Sequence, residues 1–177
     1  MTKPTIDIDL TSSQKFFESK IFNIWDKDGE PIIVGIGIRN PENIGGLIRL
    51  AGTIGCKEVI ITTDIKEHKT AKIKKTATTA FNKIAWKFAK NDEWIELIPK
   101  EYTIIALETT GDSEMIFDAK WPKKVAFVVG DERYGIDVDN VNLCHKKVYI
   151  PMIGSVKSLN VVQATSIALY EHLRRNF

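Results

Sequence analysis

Apolar positions fall along this chain in two kinds of run. Short continuous runs rich in β-branched residues occupy positions 31–38, 57–62, 102–108 and 125–129, and another ends at Tyr149 and Ile150. Runs of that length and composition are strands buried on both faces, as in a parallel sheet. Between them the period lengthens to that of a helix. Over 11–26, Thr11 and Gln14 are spaced as a capping box, Phe17, Ile21, Ile24 and Trp25 share one face, and Asp28-Gly29 ends the helix. A polar loop at 39–43 turns into a second helix. A basic helix follows over 69–81, and its small-residue end, Thr76 to Ala80, suits close packing. The segments 84–88 and 92–98 continue the alternation. The last helix carries Leu159, Val162, Ile167, Tyr170 and Leu173 in phase, with Ser158 as its N-cap. Strand alternating with helix predicts an α/β fold with a mostly parallel sheet and helices on both faces.

Composition narrows this to one domain over 1–177, with 1–30 as an N-terminal helical extension, since 177 residues of 44% hydrophobic content support a single core. The net charge of +2 leaves basic surface to uneven distribution. That unevenness lies at 66–90, where Lys66, Lys69, Lys72, Lys74, Lys75, Lys83, Lys87 and Lys90 face one acid, Glu67. Lys69, Lys72 and Lys75 share a helix face, a row that could follow a phosphate backbone or be a solvated surface. Cys56 and Cys144 lie far apart without metal-type spacing, which predicts reduced, buried thiols and no zinc site. No apolar run is long enough for a signal peptide or nears the roughly 18 residues of a membrane span, so a cytoplasmic location is expected.

Three strand-ending loops hold the candidate chemistry. The first runs from Arg39 through Asn43, Gly45 and Gly46 to Arg49; Asn43 reads as a helix cap, and Arg49, between Ile48 and Leu50, falls off the face of a purely solvated arginine. A structural ion pair and a functional role are both open for it. The second, Gly130 to Asp137, brackets Asp131-Glu132-Arg133-Tyr134 with glycines at a strand's carboxyl end, where ligands gather in open α/β sheets. The third, Ile150 to Asn160, breaks at Pro151, tightens at Gly154 and Ser155, and restarts as a helix. It is either an ordinary turn or a ligand site rich in free amides. Both phosphate-binding fingerprints fail: Val156 stands where a phosphate loop needs Gly before its Lys, and Asn40 where Gly35-Ile36-Gly37 needs a third glycine.

In this order the three loops resemble the SpoU (TrmH-like) family of RNA ribose 2′-O-methyltransferases, of the SPOUT class, over roughly residues 31–175. Asn43 and Arg49 match the first motif, Gly130 to Gly135 the second with Glu132 as its acid, and Ile150-Pro151-Met152 with Ser158-Leu159-Asn160 the third. Asp131 departs from the usual asparagine, and Val161-Val162-Gln163-Ala164 replaces smaller residues, with Gln163 altering a packing surface. The resemblance implies a C-terminal deep trefoil knot, which no local pattern suggests because chains are almost always unknotted. It implies S-adenosylmethionine bound in the knot by Leu107, Glu108, Thr109, Gly130, Ile150, Met152, Ser158 and Leu159. It also implies a homodimer through the last helix, with Ile167, Tyr170 and Leu173 at the interface, although the same stripe fits an intramolecular core.

The implied reaction is metal-free transfer of a methyl group to a ribose of tRNA or rRNA, in which alignment supplies much of the acceleration. The implied catalytic set is Asn43, Arg49, Glu132, Ser158 and Asn160. Arg49 stays protonated, so it orients ribose and phosphate and stabilises charge on the oxygen. Asn43 and Asn160 position ribose and loops, while Ser158 and Glu132 hold Arg49 or the knot. RNA contact is expected at Arg49, Lys72 and Lys75. A catalytically inactive RNA-binding module would have lost Arg49, Glu132 or Asn160, and all three are present.

Overall fold

A computed structural model of the chain describes residues 13–18, 25, 29–64 and 69–176. Its centre is a seven-stranded sheet built from β1 (Ile32–Ile36), β2 (Glu58–Thr62), β3 (Ala85–Ala89), β4 (Thr103–Leu107), β5 (Glu114–Met115), β6 (Val125–Gly130) and β7 (Lys146–Tyr149). The order is β3-β2-β1-β6-β4-β7-β5, and all of these pairings are parallel. Because side chains alternate across a strand, each apolar run feeds two cores. Ile33, Val59, Ile61, Ile105 and Phe127 point to one layer. Ile32, Val34, Ile60, Ile104 and Val128 point to the other, where they meet Trp94, Tyr102 and Val141.

The first layer is covered by α2 (Pro41–Ile54), α3 (Thr70–Ala77) and α5 (Val161–Asn176). The second is covered by a 3-10 turn at Trp94–Leu97 and the short α4 (Val138–Asn142). Helical cover therefore exists on both faces, but very unequally. In α2 the cap is Asn40 and not Asn43: the Asn40 side chain accepts from the Glu42 amide at 2.8 Å and Pro41 opens the helix. That leaves Asn43 free to point inward.

The basic helix is shorter than its pattern. It gives way at Thr78, whose φ is +55°, to a 3-10 turn over Thr78–Asn82. The same helix packs closely on α2: a Cβ on Gly45 would lie 2.6 Å from the Ile73 carbonyl oxygen and 2.7 Å from the Thr76 Cβ. Two helices that near each other tolerate no larger residue at the crossing.

At the N-terminal side, the described residues include α1 over Ser13–Glu18. Ile21 and Ile24 lie outside the described residues. Phe17 does not face a core: it is 60% exposed and meets Phe16 edge to face. Trp25 does dock, donating its indole N–H to the Ile54 carbonyl at 2.9 Å and stacking on His172 of α5. Cys56 is buried and Cys144 half-buried, both as free thiols whose ionisation burial disfavours; Cys144 is pushed up to about 12.

In α5 the buried residues are Val161, Thr165, Ala168, Leu169, Glu171 and His172, while Ile167 and Tyr170 point outward. His172 is fully buried among Trp25, Trp121 and Phe127, and burial lowers its pKa to about 4. The folded state thus resists a proton that the unfolded chain accepts near pH 6.5. This contribution to stability is complete above about pH 6.5 and is lost as pH falls toward 4. Denaturant melts across that window should show a loss of up to about 3 kcal/mol that is absent from His172→Gln; a pH-independent difference between the two proteins would refute it.

Candidate active site

Because β6 inserts between β1 and β4, and β7 beside β4, the loops leaving these four strands converge at one edge of the sheet. There the loops after β4, β6 and β7 enclose a cleft of about 250 Å³. Leu107, Glu108, Thr109, Gly130, Ile150, Met152, Ser158 and Leu159, all expected at the cofactor, line this cleft together with Asp131, Glu132 and Lys157. Sequence reasoning missed Lys157, whose ammonium donates to the Met152 carbonyl at 2.9 Å and closes the third loop on itself.

The turn after β6 is held unusually tightly. A Cβ on Gly130 would fall on the Gly135 carbonyl carbon, and Gly135 itself has φ +66°. The Gly135 amide donates to the Asp131 carbonyl at 2.8 Å, and the Ile136 amide to Glu108 Oε2 at 3.0 Å. Glu108 Oε1 accepts from the Thr109 amide at 2.9 Å, so this carboxylate ties the β4 loop to the β6 loop. Asp131 Oδ1 accepts from the Arg133 amide at 2.9 Å. An asparagine oxygen would serve that bond equally, so Asp131 preserves the turn.

On the lip of the cleft, three of the five catalytic candidates meet. Asn43, in the first turn of α2 and nearly buried, donates to Glu132 Oε1. Asn160 donates to Asn43 Oδ1 at 3.0 Å and to Glu132 Oε1 at 3.3 Å. Its own Oδ1 accepts from the Val162 amide at 2.9 Å, which makes Asn160 the cap of α5. Ser158 is not that cap: it lies exposed in the cleft wall, two residues before the cap. The bond between the two asparagines joins residues 117 apart in sequence.

Arg49 stands apart. Six residues beyond Asn43 it lies about 120° around the helix, and its buried neighbours Ile48 and Leu50 turn it outward, so it is exposed where the sequence pattern placed it off the solvated face. Glu132 accepts from the two asparagines and not from Arg49, which has no side-chain partner among the described residues.

Charge in the cleft wall is unbalanced, with Glu108, Asp131 and Glu132 against Lys157. Such a wall favours a cationic ligand. Among the described residues no group of three or more His, Cys, Asp or Glu side chains could hold a metal ion, and no helix is long and apolar enough to cross a membrane. The lysine-rich stretch is partly neutralised: Lys72 pairs with Glu42 at 3.2 Å, Lys87 with Glu58 at 2.9 Å and Lys90 with Glu93 at 2.6 Å. Lys66 and Glu67 lie outside the described residues.

A family model described as the SpoU rRNA Methylase family matches residues 30–170. The 23S rRNA (guanosine-2'-O-)-methyltransferase RlmB of Photorhabdus laumondii is 31% identical over 145 residues, 81% of this chain and 59% of that protein. The chain thus spans about three-fifths of the length of the curated relatives it matches. Among solved structures, the A. aeolicus TrmH/SpoU tRNA modifying enzyme superposes with a TM-score of 0.72 at 27% identity, covering 85% of this chain and 76% of that one. An RNA 2'-O ribose methyltransferase gives a TM-score of 0.74 at 25% identity, covering 84% and 57%.

Proposed function

Since the chain belongs to the SpoU rRNA Methylase family, we propose that it transfers a methyl group from S-adenosylmethionine to a ribose 2′-hydroxyl of tRNA or rRNA. The observation that carries this reading is the Asn43–Glu132–Asn160 cluster, assembled from three loops at the lip of a cleft with an excess of carboxylates. The cleft suits the cofactor: its walls expose backbone of three loops for an adenine, Gly130 leaves no side chain in the way, and its carboxylates complement a sulfonium. When bound, that cofactor supplies an electrophilic methyl group. Leu107, Gly130, Ile150, Met152 and Leu159 would hold it, while Glu108, its oxygens committed to backbone amides, would fix the loops around it.

The chain's own contribution is placement. Asn43 and Asn160 both donate to Glu132 Oε1, which leaves Oε2 of the same carboxylate to accept from a ribose hydroxyl. Ser158 offers a hydroxyl to the same lip. Arg49, exposed and without a partner among the described residues, can take an RNA phosphate or steady charge on the ribose oxygen, while solvent or a phosphate oxygen receives the proton. We further propose that the protein works as a cytoplasmic homodimer knotted at its C-terminal segment. The outward face of α5 supports the dimer: Ile167 and Tyr170 are exposed, and Ile167 borders an apolar cleft shared with Leu50 and Val162, next to Arg49.

Calorimetric titration should find S-adenosylmethionine bound in the presence of chelator and NAD and ATP not bound. Mapping of ribose methylation in RNA from cells with and without the protein then names the nucleotide, with large-subunit rRNA the first RNA to test. No binding of S-adenosylmethionine, or activity abolished by chelator, would refute the reading. RNA affinity should also fall in the double variant Lys72→Glu, Lys75→Glu, with the log–log salt slope shallower by about 0.7 to 0.9 for each phosphate that is no longer neutralised. Lys72 already pairs with Glu42, so Lys75→Glu alone should account for much of the effect. Unchanged affinity and slope would place the RNA path elsewhere.

A further inference from the structure

A second cleft, of about 530 Å³, opens on the other side of the turn after β6. It shares Asp131 and Gly135 with the first and reaches the carboxyl ends of β1 and β2 through Gly37 and Thr62. A shallower groove lined by Arg39, Asn40, Asp131, Glu132, Arg133 and Tyr134 joins it to the cluster at Glu132. The two clefts and the cluster are therefore continuous.

The floor of the second cleft is rigid. The Thr62 hydroxyl accepts from the Gly37 amide at 3.1 Å and donates to Asn91 Oδ1 at 3.0 Å, Asn140 donates to the same oxygen at 3.3 Å and to Asp137 at 2.7 Å, and the Trp94 indole donates to Asn140 at 2.5 Å. Above it stands Tyr134, 76% exposed and without a hydrogen bond among the described residues. The turn that carries Tyr134 is pinned at both ends, at Asp131–Gly135 and at Ile136–Glu108. A large aromatic ring held into solvent by a stiff loop loses little entropy when something stacks on it. Beside it, the Arg133 side chain has no partner among the described residues. Arg39 uses two of its N–H groups on Asp64, at 3.1 and 2.9 Å, and keeps others available to a phosphate.

We propose that this groove holds the nucleotide adjoining the one that is methylated, with its base stacked on Tyr134 and the connecting phosphate between Arg133 and Arg39. The inference rests on the methyltransferase reading above. Glu132 and Tyr134 lie two residues apart on the same tight turn, so one rigid loop carries both the ribose acceptor and the stacking ring. An aromatic face flanked by guanidinium groups is the combination that recognises single-stranded RNA without regard to sequence. It follows that the target nucleotide and its neighbour must be splayed apart, as in a loop, and not stacked in a helix.

The test is methyl transfer by the full chain to unmodified transcripts of 23S rRNA and of pooled tRNA, with two competitors. Decauridylate carries bases and charge; inorganic polyphosphate carries charge alone. Tyr134→Ala should lower kcat/KM about 5- to 150-fold, the loss of one stacked base, chiefly through KM. It should become less sensitive to decauridylate by a similar factor and remain equally sensitive to polyphosphate. Tyr134→Phe keeps the ring and should restore both values, and Arg133→Gln should weaken inhibition by both competitors. Wild-type kcat/KM and wild-type decauridylate inhibition in Tyr134→Ala, or no recovery in Tyr134→Phe, overturn the groove and leave the methyltransferase reading standing. No transfer by the wild-type protein to any transcript overturns that reading and the groove with it.

Discussion

Arg49→Ala is expected to lower the methyl-transfer rate about 10²- to 10³-fold, the usual consequence of removing one donor aimed at developing charge. The same variant should fold normally. Its side chain is exposed and has no partner among the described residues, so stability should change by no more than about 0.5 kcal/mol. S-adenosylmethionine affinity should also stay within about twofold, because Arg49 lies outside the residues that line the cofactor cleft. Arg49→Lys should recover part of the rate, since it restores charge without the two-pronged geometry that fits a phosphate. Single-turnover assays and calorimetry on the three proteins separate these effects. Turnover near wild type in Arg49→Ala would remove this residue from the mechanism.

A larger structural effect is expected from one added methyl group. Gly130→Ala places its Cβ on the Gly135 carbonyl carbon, so the turn after β6 has to open. Opening it breaks the Asp131–Gly135 pairing, loosens the amide bond to Glu108 and carries Glu132 away from Asn43 and Asn160. Overpacking of this kind costs about 1–3 kcal/mol or more, read as a fall in melting temperature of several degrees. Cofactor affinity should fall by about 5- to 150-fold, the same 1–3 kcal/mol expressed as a binding constant. Gly154→Ala is the control: nothing lies within 4 Å of its added Cβ, so both melting temperature and affinity should hold. Equal behaviour of the two variants would mean that the tight turn has no part in forming the cleft.

Much of this architecture was legible because burial leaves a local trace. A strand covered on both faces is written as a continuous β-branched run, and β1, β2, β4 and β6 fall inside the runs that predict them, β6 extending one residue further to Gly130. The two-residue β5 and five-residue α4 were missed, because neither is long enough to display a period. The helix caps were misplaced by three residues at Asn43 and by two at Ser158. In each case several polar residues crowd the strand-to-helix junction, and any of them could cap; the choice depends on where the chain leaves the sheet. Once Asn40 caps α2, Asn43 is released to the cluster, so an error of a few residues decided between a structural and a functional role.

What the sequence determined by itself is therefore the inventory: strands, helices, the three loops and the residue types each loop delivers. These follow from side-chain chemistry acting over a few neighbours, which is what periodicity and turn propensity record. What only the tertiary structure decided is adjacency. Nothing local places β6 between β1 and β4, because parallel strands buried on both faces carry interchangeable apolar patterns. That placement brings Asn43, Glu132 and Asn160 within hydrogen-bonding distance, the two asparagines across more than a hundred residues of chain. The same holds for direction: Arg49 faces solvent because Ile48 and Leu50 are drawn into the core on either side of it, a competition among neighbours that a one-dimensional pattern records only as alternatives.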